Sequence, residues 1–396
     1  MLSTSINPSR TTPTQGDHKM NFDPKVPSSR LDKTIPSPPY YIMAQDLICL
    51  HNQREIFIKK IFSIKPKKRY GSIILAPGIA TNGNIYRIDI NGKLLYLDHN
   101  LSFANLLAAE GFDVYIYHPR YTERVYNRYV SKNCQNSIYY GKRYNVPSSL
   151  SFMELVHSEV PQLIQFVLNQ SGSENISWIG YSLGGMLIYA YCMELDDPHI
   201  RNIITIGSPI TFNQLFIRII PYMNWASKAL GLEERTFLGT VSENLVPLTR
   251  LIRNLPEWVV KFNILTPFLF NPFNIMGETV RTLLGKIVEP IPASLENCFS
   301  SFIDKGFPSA QNYSFYYMKA LRGLQKQDKR FLFFYGPYDV LAPPDSVFLA
   351  HEIISPQSPN VIKVPSAGHV DLMVGCNSRE YLWQPCVEWL KDCALI

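Results

Sequence analysis

Apolar positions along the chain fall into two kinds of run. Short β-branched and aromatic runs bounded by turn residues indicate buried strands, and longer runs with helical spacing indicate helices packed on them. The predicted strands are Ile42–Leu50, Glu55–Ser63, Ser72–Ala76, Phe112–Tyr117, the run before Ser182, Asn202–Gly207, Phe331–Tyr335 and Asn360–Val364. The predicted helices are Ser102–Glu110, Ser151–Asn169, the run after Ser182, a run from Asp345, and Ser378–Ala394. This alternation predicts an α/β fold, with a mostly parallel sheet flanked by helices.

The alternation stops between residues 211 and 325, where aromatic helical pieces follow one another without strands. These pieces are Phe212–Trp225, Trp258–Met276 and Thr279–Val288. An insertion between two strands of such a sheet predicts a mainly helical cap over the carboxyl edge, where open α/β sheets bind ligands. Residues 1–38 are rich in Ser, Thr and Pro, which predicts a disordered polar tail. The predicted division is therefore a tail at 1–38, a core at 39–210 and 326–396, and a cap at 211–325.

Composition excludes several classes of function. The chain has 396 residues, 46% of them hydrophobic, and a net charge of +6. Seven cations between Arg54 and Arg69 favour a solvated sheet edge, with membrane-surface or phosphate binding as the alternative. The segment Tyr117–Tyr144 mixes cations with seven tyrosines. Because no nucleic-acid motif accompanies it, we predict a long loop there and no nucleic-acid partner.

Cysteine usage and the ends of the chain bear on location. Seven cysteines without C-x-x-C spacing predict neither a disulfide framework nor a zinc site. No signal-peptide pattern is present, and the longest apolar stretch is interrupted by Lys261, Pro267 and Pro272. A cytoplasmic location is therefore expected. The final residues, Cys393-Ala-Leu-Ile396, fit the C-a-a-X prenylation pattern. The alternatives are thus peripheral membrane contact through Cys393, or a cysteine that simply ends the last helix.

The pattern G-x-S-x-G occurs at Gly180-Tyr-Ser182-Leu-Gly184, between a predicted strand and a predicted helix. A sharp strand-to-helix turn at this pattern exposes the serine hydroxyl. Gly180 and Gly184 lack a Cβ, so the strand and the helix can approach closely beside the turn. Ser182 is therefore the predicted nucleophile.

A serine nucleophile needs a general base, and in this type of site the histidine comes last in the chain. Three histidines follow Ser182: His199, His351 and His369. His199 precedes the predicted cap and His351 lies in a helical run. His369 lies in a loop after a predicted strand, and it is the predicted base, with a structural loop histidine as the alternative.

The acid that orients the base is predicted to be Asp339, which follows the buried strand Phe331–Tyr335 at a tight turn. Asp345 follows two prolines and is predicted to be the N-cap of the next helix. Asp371 is the rival acid, although its closeness to His369 in the sequence favours a role in bracing the loop.

An oxyanion hole requires backbone donors near the nucleophile. One is predicted to be the N–H of Leu183. The other is predicted to be the N–H of Ile79, after Gly78 in the turn that follows strand Ser72–Ala76, with Ala80 as a less favoured donor. An ordinary turn at Pro77-Gly78 is the alternative. This chemistry requires no metal and no organic cofactor.

Three further segments, Leu101–Tyr115, Ser151–Phe166 and Gly368–Gly375, resemble segments of the acid lipases of lysosomal or gastric type, within the α/β-hydrolase superfamily. The resemblance covers roughly residues 40–210 and 328–392. It implies the α/β-hydrolase fold and ester hydrolysis on lipid-like substrates. Pro77-Gly78 replaces that family's His-Gly, and His118-Pro-Arg-Tyr121 replaces its Asn-Ser-Arg-Gly. The elbow is also similar to that of polyhydroxyalkanoate synthases, which use cysteine where this chain has Ser182.

The predicted function is a serine hydrolase that cleaves small-molecule or lipid esters with an apolar acyl group. Aromatic residues of the predicted cap indicate a hydrophobic acyl site or lipid contact, with a plain second core as an equal alternative. They are Phe212, Phe216, Trp225, Phe262, Phe268, Phe270 and Phe273. Two alternatives remain: acyl transfer through the same acyl-enzyme, and a catalytically silent binding protein of the same fold. The sequence indicates no particular oligomeric state.

Overall fold

Eight strands form one sheet in the computed structural model, which describes residues 41–51, 54–89, 91–94, 101–147, 150–211, 255–262, 266–292, 294–295, 298 and 315–394. The strands are β1 (Ile42–His51), β2 (Arg54–Ser63), β3 (Gly71–Ala76), β4 (Phe112–His118), β5 (Ile176–Tyr181), β6 (Ile200–Ile206), β7 (Arg330–Tyr335) and β8 (Val361–Lys363). Their order across the sheet is β1-β2-β4-β3-β5-β6-β7-β8. Strand β2 runs antiparallel to both of its neighbours. The other six strands, β4, β3, β5, β6, β7 and β8 in sheet order, are parallel to one another. The predicted mostly parallel α/β sheet is confirmed.

Helices lie between the strands, and several are interrupted by a π-helical turn. The helical segments are Phe103–Ala109, Glu123–Val125, Tyr126–Val130, Ser131–Asn133, Phe152–Glu154, Leu155–Glu159, Val160–Ser171, Leu183–Glu194, Glu257–Lys261, Thr266–Leu269, Gly277–Thr282, Leu283–Ile287, Phe315–Gly323, Pro344–Ile354, Asp371–Val374, Arg379–Trp383 and Gln384–Cys393. Short 3-10 helices occur at Gly83–Arg87 and Leu324–Lys326.

Alternate strand residues supply two separate hydrophobic clusters, one on each face of the sheet. In β3, Ile74 belongs to one cluster and its neighbours Ile73 and Leu75 to the other. Period-2 alternation places successive side chains on opposite faces, so a strand that is apolar throughout is covered by helices on both sides. The helix Leu183–Glu194 packs into the first cluster and the helix Phe103–Ala109 into the second.

The prediction of a long loop over Tyr117–Tyr144 is wrong. Residues Glu123–Asn133 form three consecutive helical segments. Four of the seven tyrosines are buried, namely Tyr117, Tyr121, Tyr126 and Tyr144, whereas Tyr140 is exposed. Tyr126 and Tyr144 stack at 4.3 Å in a third cluster that also contains Phe57 of β2. The hydroxyls of Tyr126 and Tyr144 each donate to a backbone carbonyl. These two residues therefore cover the antiparallel end of the sheet with their polar groups satisfied.

The connection from β6 to β7, residues 207–329, contains helices and no β-strand within its described parts. The predicted helix Trp258–Met276 is two short helices, Glu257–Lys261 and Thr266–Leu269. Proline lacks the N–H that a helix interior requires, so Pro267 and Pro272 do not fit inside one long helix. The predicted tail at 1–38 and the predicted helix Phe212–Trp225 lie outside the described residues. In the part of the chain that is described, no helix has the length and apolar character needed to cross a bilayer.

Candidate active site

Ser182 lies at a sharp turn between β5 and the helix Leu183–Glu194. Its backbone has φ 52° and ψ −114°, a left-handed conformation that a residue with a side chain rarely adopts. The N–H of Ser182 donates to the carbonyl of Ile206 in β6 at 2.9 Å, which holds the turn against the neighbouring strand. This geometry brings the serine hydroxyl to the carboxyl edge of the sheet.

The two glycines of the G-x-S-x-G pattern lie where no side chain fits. A Cβ added at Gly180 would lie 2.4 Å from the backbone of Gly184. A Cβ added at Gly184 would lie 2.1 Å from the carbonyl oxygen of Ala76 in β3. The helix therefore crosses β3 and β5 in backbone contact, as the sequence predicts.

Ser182, His369 and Asp339 lie in one hydrogen-bonded series. The Ser182 Oγ is 2.9 Å from His369 Nε2, and His369 Nδ1 is 2.8 Å from Asp339 Oδ2. The other carboxylate oxygen, Asp339 Oδ1, accepts the N–H groups of Leu341 and Ala342 at 2.9 and 2.8 Å. All three side chains are buried. Because the carboxylate accepts a hydrogen bond from Nδ1–H, Nε2 is left as an acceptor facing the serine hydroxyl.

The other histidines after Ser182 lie away from this series. His199 Nδ1 is bonded to the carbonyl of Glu174, and His351 Nε2 to the carbonyl of Ser358. The predicted N-cap role of Asp345 is wrong, because Pro343 takes the cap position and Asp345 lies inside the first turn. Proline suits the first helical positions, so the cap lies two residues before the predicted one. A carboxylate in the first turn is still favoured by the helix dipole.

The carboxylate of Asp371, the rival acid, is hydrogen-bonded to groups other than the His369 imidazole. It is fully buried, and its Oδ1 accepts the N–H groups of Gly368 and Asn271 at 2.9 and 3.1 Å. Its Oδ2 accepts the side-chain amide of Asn274 at 2.8 Å. Burial raises the pKa of this carboxyl to about 6, although the hydrogen bonds act in the opposite direction. Asp371 thus joins the His369 loop to the segment 271–274 of the β6–β7 connection.

The turn after β3 lies directly against Ser182. A Cβ added at Gly78 would lie 2.9 Å from the Tyr181 ring and 3.1 Å from Ser182 Cβ. The carbonyl of Gly78 accepts the hydroxyl of Tyr121 at 2.7 Å, which fixes the turn. Ile79 is partly buried at this turn, whereas Leu183 is fully buried at the start of the following helix. The segments of both predicted oxyanion donors therefore flank the serine.

Two features of the site were not predicted from the sequence. Gly207, directly after β6, has φ 52°, and an added Cβ would lie 3.1 Å from Asp339 Oδ2. A glycine at the end of a buried strand was the available signal. Left-handed backbone also occurs at Ala80 and Ser366, so each of the three segments around the site holds one non-glycine residue in this conformation. Such strain concentrates at functional sites.

Among the described residues, no three His, Cys, Asp or Glu side chains are arranged to hold a metal ion.

Comparison with known proteins shows what the chain is similar to. Residues 71–263 match a family model described as the alpha/beta hydrolase fold. The chain is similar to the poly(3-hydroxyalkanoate) polymerase subunit PhaC of Haloferax mediterranei, with 21% identity over 324 residues. This alignment covers 78% of the chain but 58% of the relative, so the chain spans little more than half the length of that curated protein.

Solved structures show the same fold at low identity. An esterase from Thermogutta terrifontis has a TM-score of 0.50 and 16% identity, covering 88% of this chain and 98% of the esterase. A serine hydrolase from Cycloclasticus zankles has a TM-score of 0.51 and 12% identity, covering 89% and 99%. A lipase described as putative, from Sulfolobus solfataricus, has a TM-score of 0.51 and 13% identity, covering 89% and 95%. The narrower resemblance to acid lipases stays a prediction. The chain has the alpha/beta hydrolase fold.

Proposed function

We propose that the protein is a serine hydrolase that cleaves carboxylic esters with an apolar acyl group. The observation that carries the proposal is the buried series from Ser182 Oγ through the His369 imidazole to Asp339, with contacts of 2.9 and 2.8 Å. A serine activated in this way is the usual nucleophile of acyl transfer to water.

In the proposed mechanism, Ser182 Oγ attacks the ester carbonyl while His369 Nε2 takes the hydroxyl proton. Asp339 keeps the imidazole in the required tautomer and stabilises the imidazolium that forms. The N–H groups of Ile79 and Leu183 hold the oxyanion of the tetrahedral intermediate. His369 then gives its proton to the leaving alcohol. Water, deprotonated by the same imidazole, releases the acid from the acyl-enzyme.

Apolar surface beside the His369 loop supports an apolar acyl group. Trp258, Phe262 and Phe273 are 68%, 51% and 82% exposed, and the Phe262 and Phe273 rings meet edge to face at 5.5 Å. We call these three residues the aromatic patch. Phe273 follows Asn271, which is bonded to Asp371 in the His369 loop. Exposed aromatic groups gathered next to a reactive centre suit contact with an acyl chain or a lipid surface. The β6–β7 connection would then serve as the cap that was predicted for residues 211–325.

Fluorophosphonate labelling tests the proposal. The wild-type protein should be labelled and the Ser182→Ala variant should not. Ser173→Ala, which removes a serine near the start of β5, is the matched control and should be labelled like the wild type. Among p-nitrophenyl esters of increasing chain length, kcat/KM should rise from acetate to the longer acyl groups. Absence of labelling in the wild type would favour a catalytically silent binding protein.

Acyl transfer to an acceptor other than water is the second candidate, and the similarity to a polymerase subunit favours it. Both reactions pass through the same acyl-enzyme, so the fate of the acyl group separates them. With a p-nitrophenyl ester and an added hydroxy acid or thiol, hydrolysis should give free acid at every acceptor concentration. Formation of the ester of the hydroxy acid, or of the thioester of the thiol, at the expense of the free acid would instead establish a transferase.

A further inference from the structure

A basic cavity lies outside the candidate active site, between the antiparallel end of the sheet and the β6–β7 connection. Its volume is about 140 Å³. It is lined by residues of β2, of the 3-10 helix Gly83–Arg87, of the two helical segments between Glu123 and Val130, and of 286–289, together with Leu94. Five cationic residues line it: Lys59, Arg87, Arg124, Arg128 and Lys286. Among the described residues, Glu289 is the one carboxylate in the lining.

Among the described residues, the cationic side chains of the lining outnumber the carboxylates in and next to it. Lys59 forms an ion pair with Asp46, and the Glu289 carboxylate accepts the N–H of Arg124 and the side-chain amide of Asn82. The guanidinium groups of Arg124 and Arg128 donate to backbone carbonyls of residues 285 and 288, which do not neutralise their charge. The guanidinium groups of Arg124 and Arg128 therefore form no ion pair with a carboxylate among the described residues, although the charge of Glu289 acts on Arg124.

The neighbouring His118 is affected by the same positive charge. Its ring stacks on Phe57, which lines the cavity, at 4.9 Å. His118 is fully buried, and neither ring nitrogen has a hydrogen-bond partner among the described residues. Burial, together with the charges of Lys59 and Arg87, holds the pKa of this imidazole well below its usual value. The ring is therefore neutral and adds no charge to a region that is already positive.

Size and access limit the ligand. Arg87 is buried at the inner wall, whereas Arg128 and Lys286 are exposed at the mouth, so the cavity opens to solvent. Pockets for drug-sized molecules have volumes of roughly 300–1,000 Å³, and this cavity is smaller. Arginine clusters bind phosphate through charge-assisted, often paired hydrogen bonds. We propose that this cavity binds a phosphate group, carried either by a small soluble phosphate or by a phospholipid headgroup.

Equilibrium dialysis of the full-length chain with labelled inorganic phosphate and with glycerol 1-phosphate tests the proposal. The wild type should bind one phosphate per chain saturably at low ionic strength. The double variant Arg128→Gln/Lys286→Gln should bind about tenfold more weakly or worse, because charge-assisted contacts to phosphate are the strong ones. Both residues are exposed, so this variant should fold, which its thermal unfolding would verify. Arg201→Gln/Lys363→Gln removes the same charge from exposed strand positions and should stay within about twofold of the wild type.

The source of the phosphate follows from a second arm with phosphatidylcholine vesicles that do or do not contain phosphatidic acid. If the wild-type protein sediments with the phosphatidic acid vesicles and the Arg128→Gln/Lys286→Gln variant does not, the ligand is a phospholipid headgroup. Binding of the soluble phosphates alone would identify a soluble ligand. The proposal is overturned if the wild type shows no saturable binding in either arm, or if both double variants weaken binding equally. These readouts need no ester turnover, so they are independent of the proposed activity.

Discussion

The Asp371→Asn substitution should remove a specific pH dependence from the stability of the fold. The pKa of Asp371 is raised from its ordinary value of 3.8 to about 6, chiefly by burial. The folded protein thus holds this proton more tightly than the unfolded chain. The resulting stabilisation is fully present below pH 3.8 and is lost as the pH rises through about 6. Since one pKa unit corresponds to about 1.36 kcal/mol, the whole contribution is about 3 kcal/mol.

Urea unfolding of the wild type and of Asp371→Asn over a range of pH measures this effect, because groups common to both proteins cancel in the difference. Between about pH 4.5 and 7.5, the free energy of unfolding of the variant should rise by about 2 kcal/mol relative to the wild type. Asparagine keeps one oxygen for the N–H groups of Gly368 and Asn271, and the Asn274 amide can rotate to accept from the new amide.

Asp392→Asn is the matched control, because Asp392 is an exposed carboxylate near the end of the last helix. Its stability should follow that of the wild type in parallel at every pH. If the Asp371→Asn and wild-type curves also ran in parallel, the conclusion that burial dominates the pKa of Asp371 would be refuted.

Three further substitutions test the geometry of the site. Asp339→Asn should lower kcat for a p-nitrophenyl ester roughly 10³–10⁴-fold, because an amide facing Nδ1 favours the wrong imidazole tautomer; a loss below tenfold would contradict the proposed role. Gly184→Ala should destabilise the fold by about 1–3 kcal/mol in urea unfolding, since its methyl group would lie 2.1 Å from a β3 carbonyl oxygen. Gly285→Ala, where an added Cβ meets nothing within 4 Å, is the control and should be close to neutral. Ser366→Gly should stabilise the fold by about 0.5–1 kcal/mol, because relief of a left-handed backbone outweighs the added chain entropy; a lower unfolding midpoint would argue against that strain.

The regular elements of the fold were predictable because each is encoded locally. The strand predicted at Phe112–Tyr117 is observed at Phe112–His118, and the last helix, predicted at Ser378–Ala394, ends at Cys393. Continuous apolar runs and helical spacing are properties of a few neighbouring residues, so they can be read without tertiary information. The positions of the serine, aspartate and histidine in the chain followed from the order expected at such a turn. Their catalytic roles stay a prediction.

The features that escaped prediction depend on residues far apart in the chain. Tyr126 is helical and buried, and Tyr144 is buried against it, because Phe57 and Glu55 of β2 lie beside them, more than 60 residues earlier. Asp371 acquires its partners from residues 271 and 274. The basic cavity likewise combines five separate segments. Single-sequence patterns carry no record of which distant segments meet, so these contacts required the structure.

The order of strands in the sheet also dictates when the site can exist during folding. Ser182 and the turn after β3 precede the β6–β7 connection in the chain, whereas Asp339 and His369 follow it. β7 must pair with β6 across residues 207–329, and closing a loop of that length carries an entropic cost that local helices do not. Under the proposed mechanism, a nascent chain that ends before β7 would therefore present a serine without a base, and would be inert toward esters however well its own strands had formed. Reactivity would arise only when the last two strands dock, so the rate at which a refolding sample gains fluorophosphonate labelling would time that docking step.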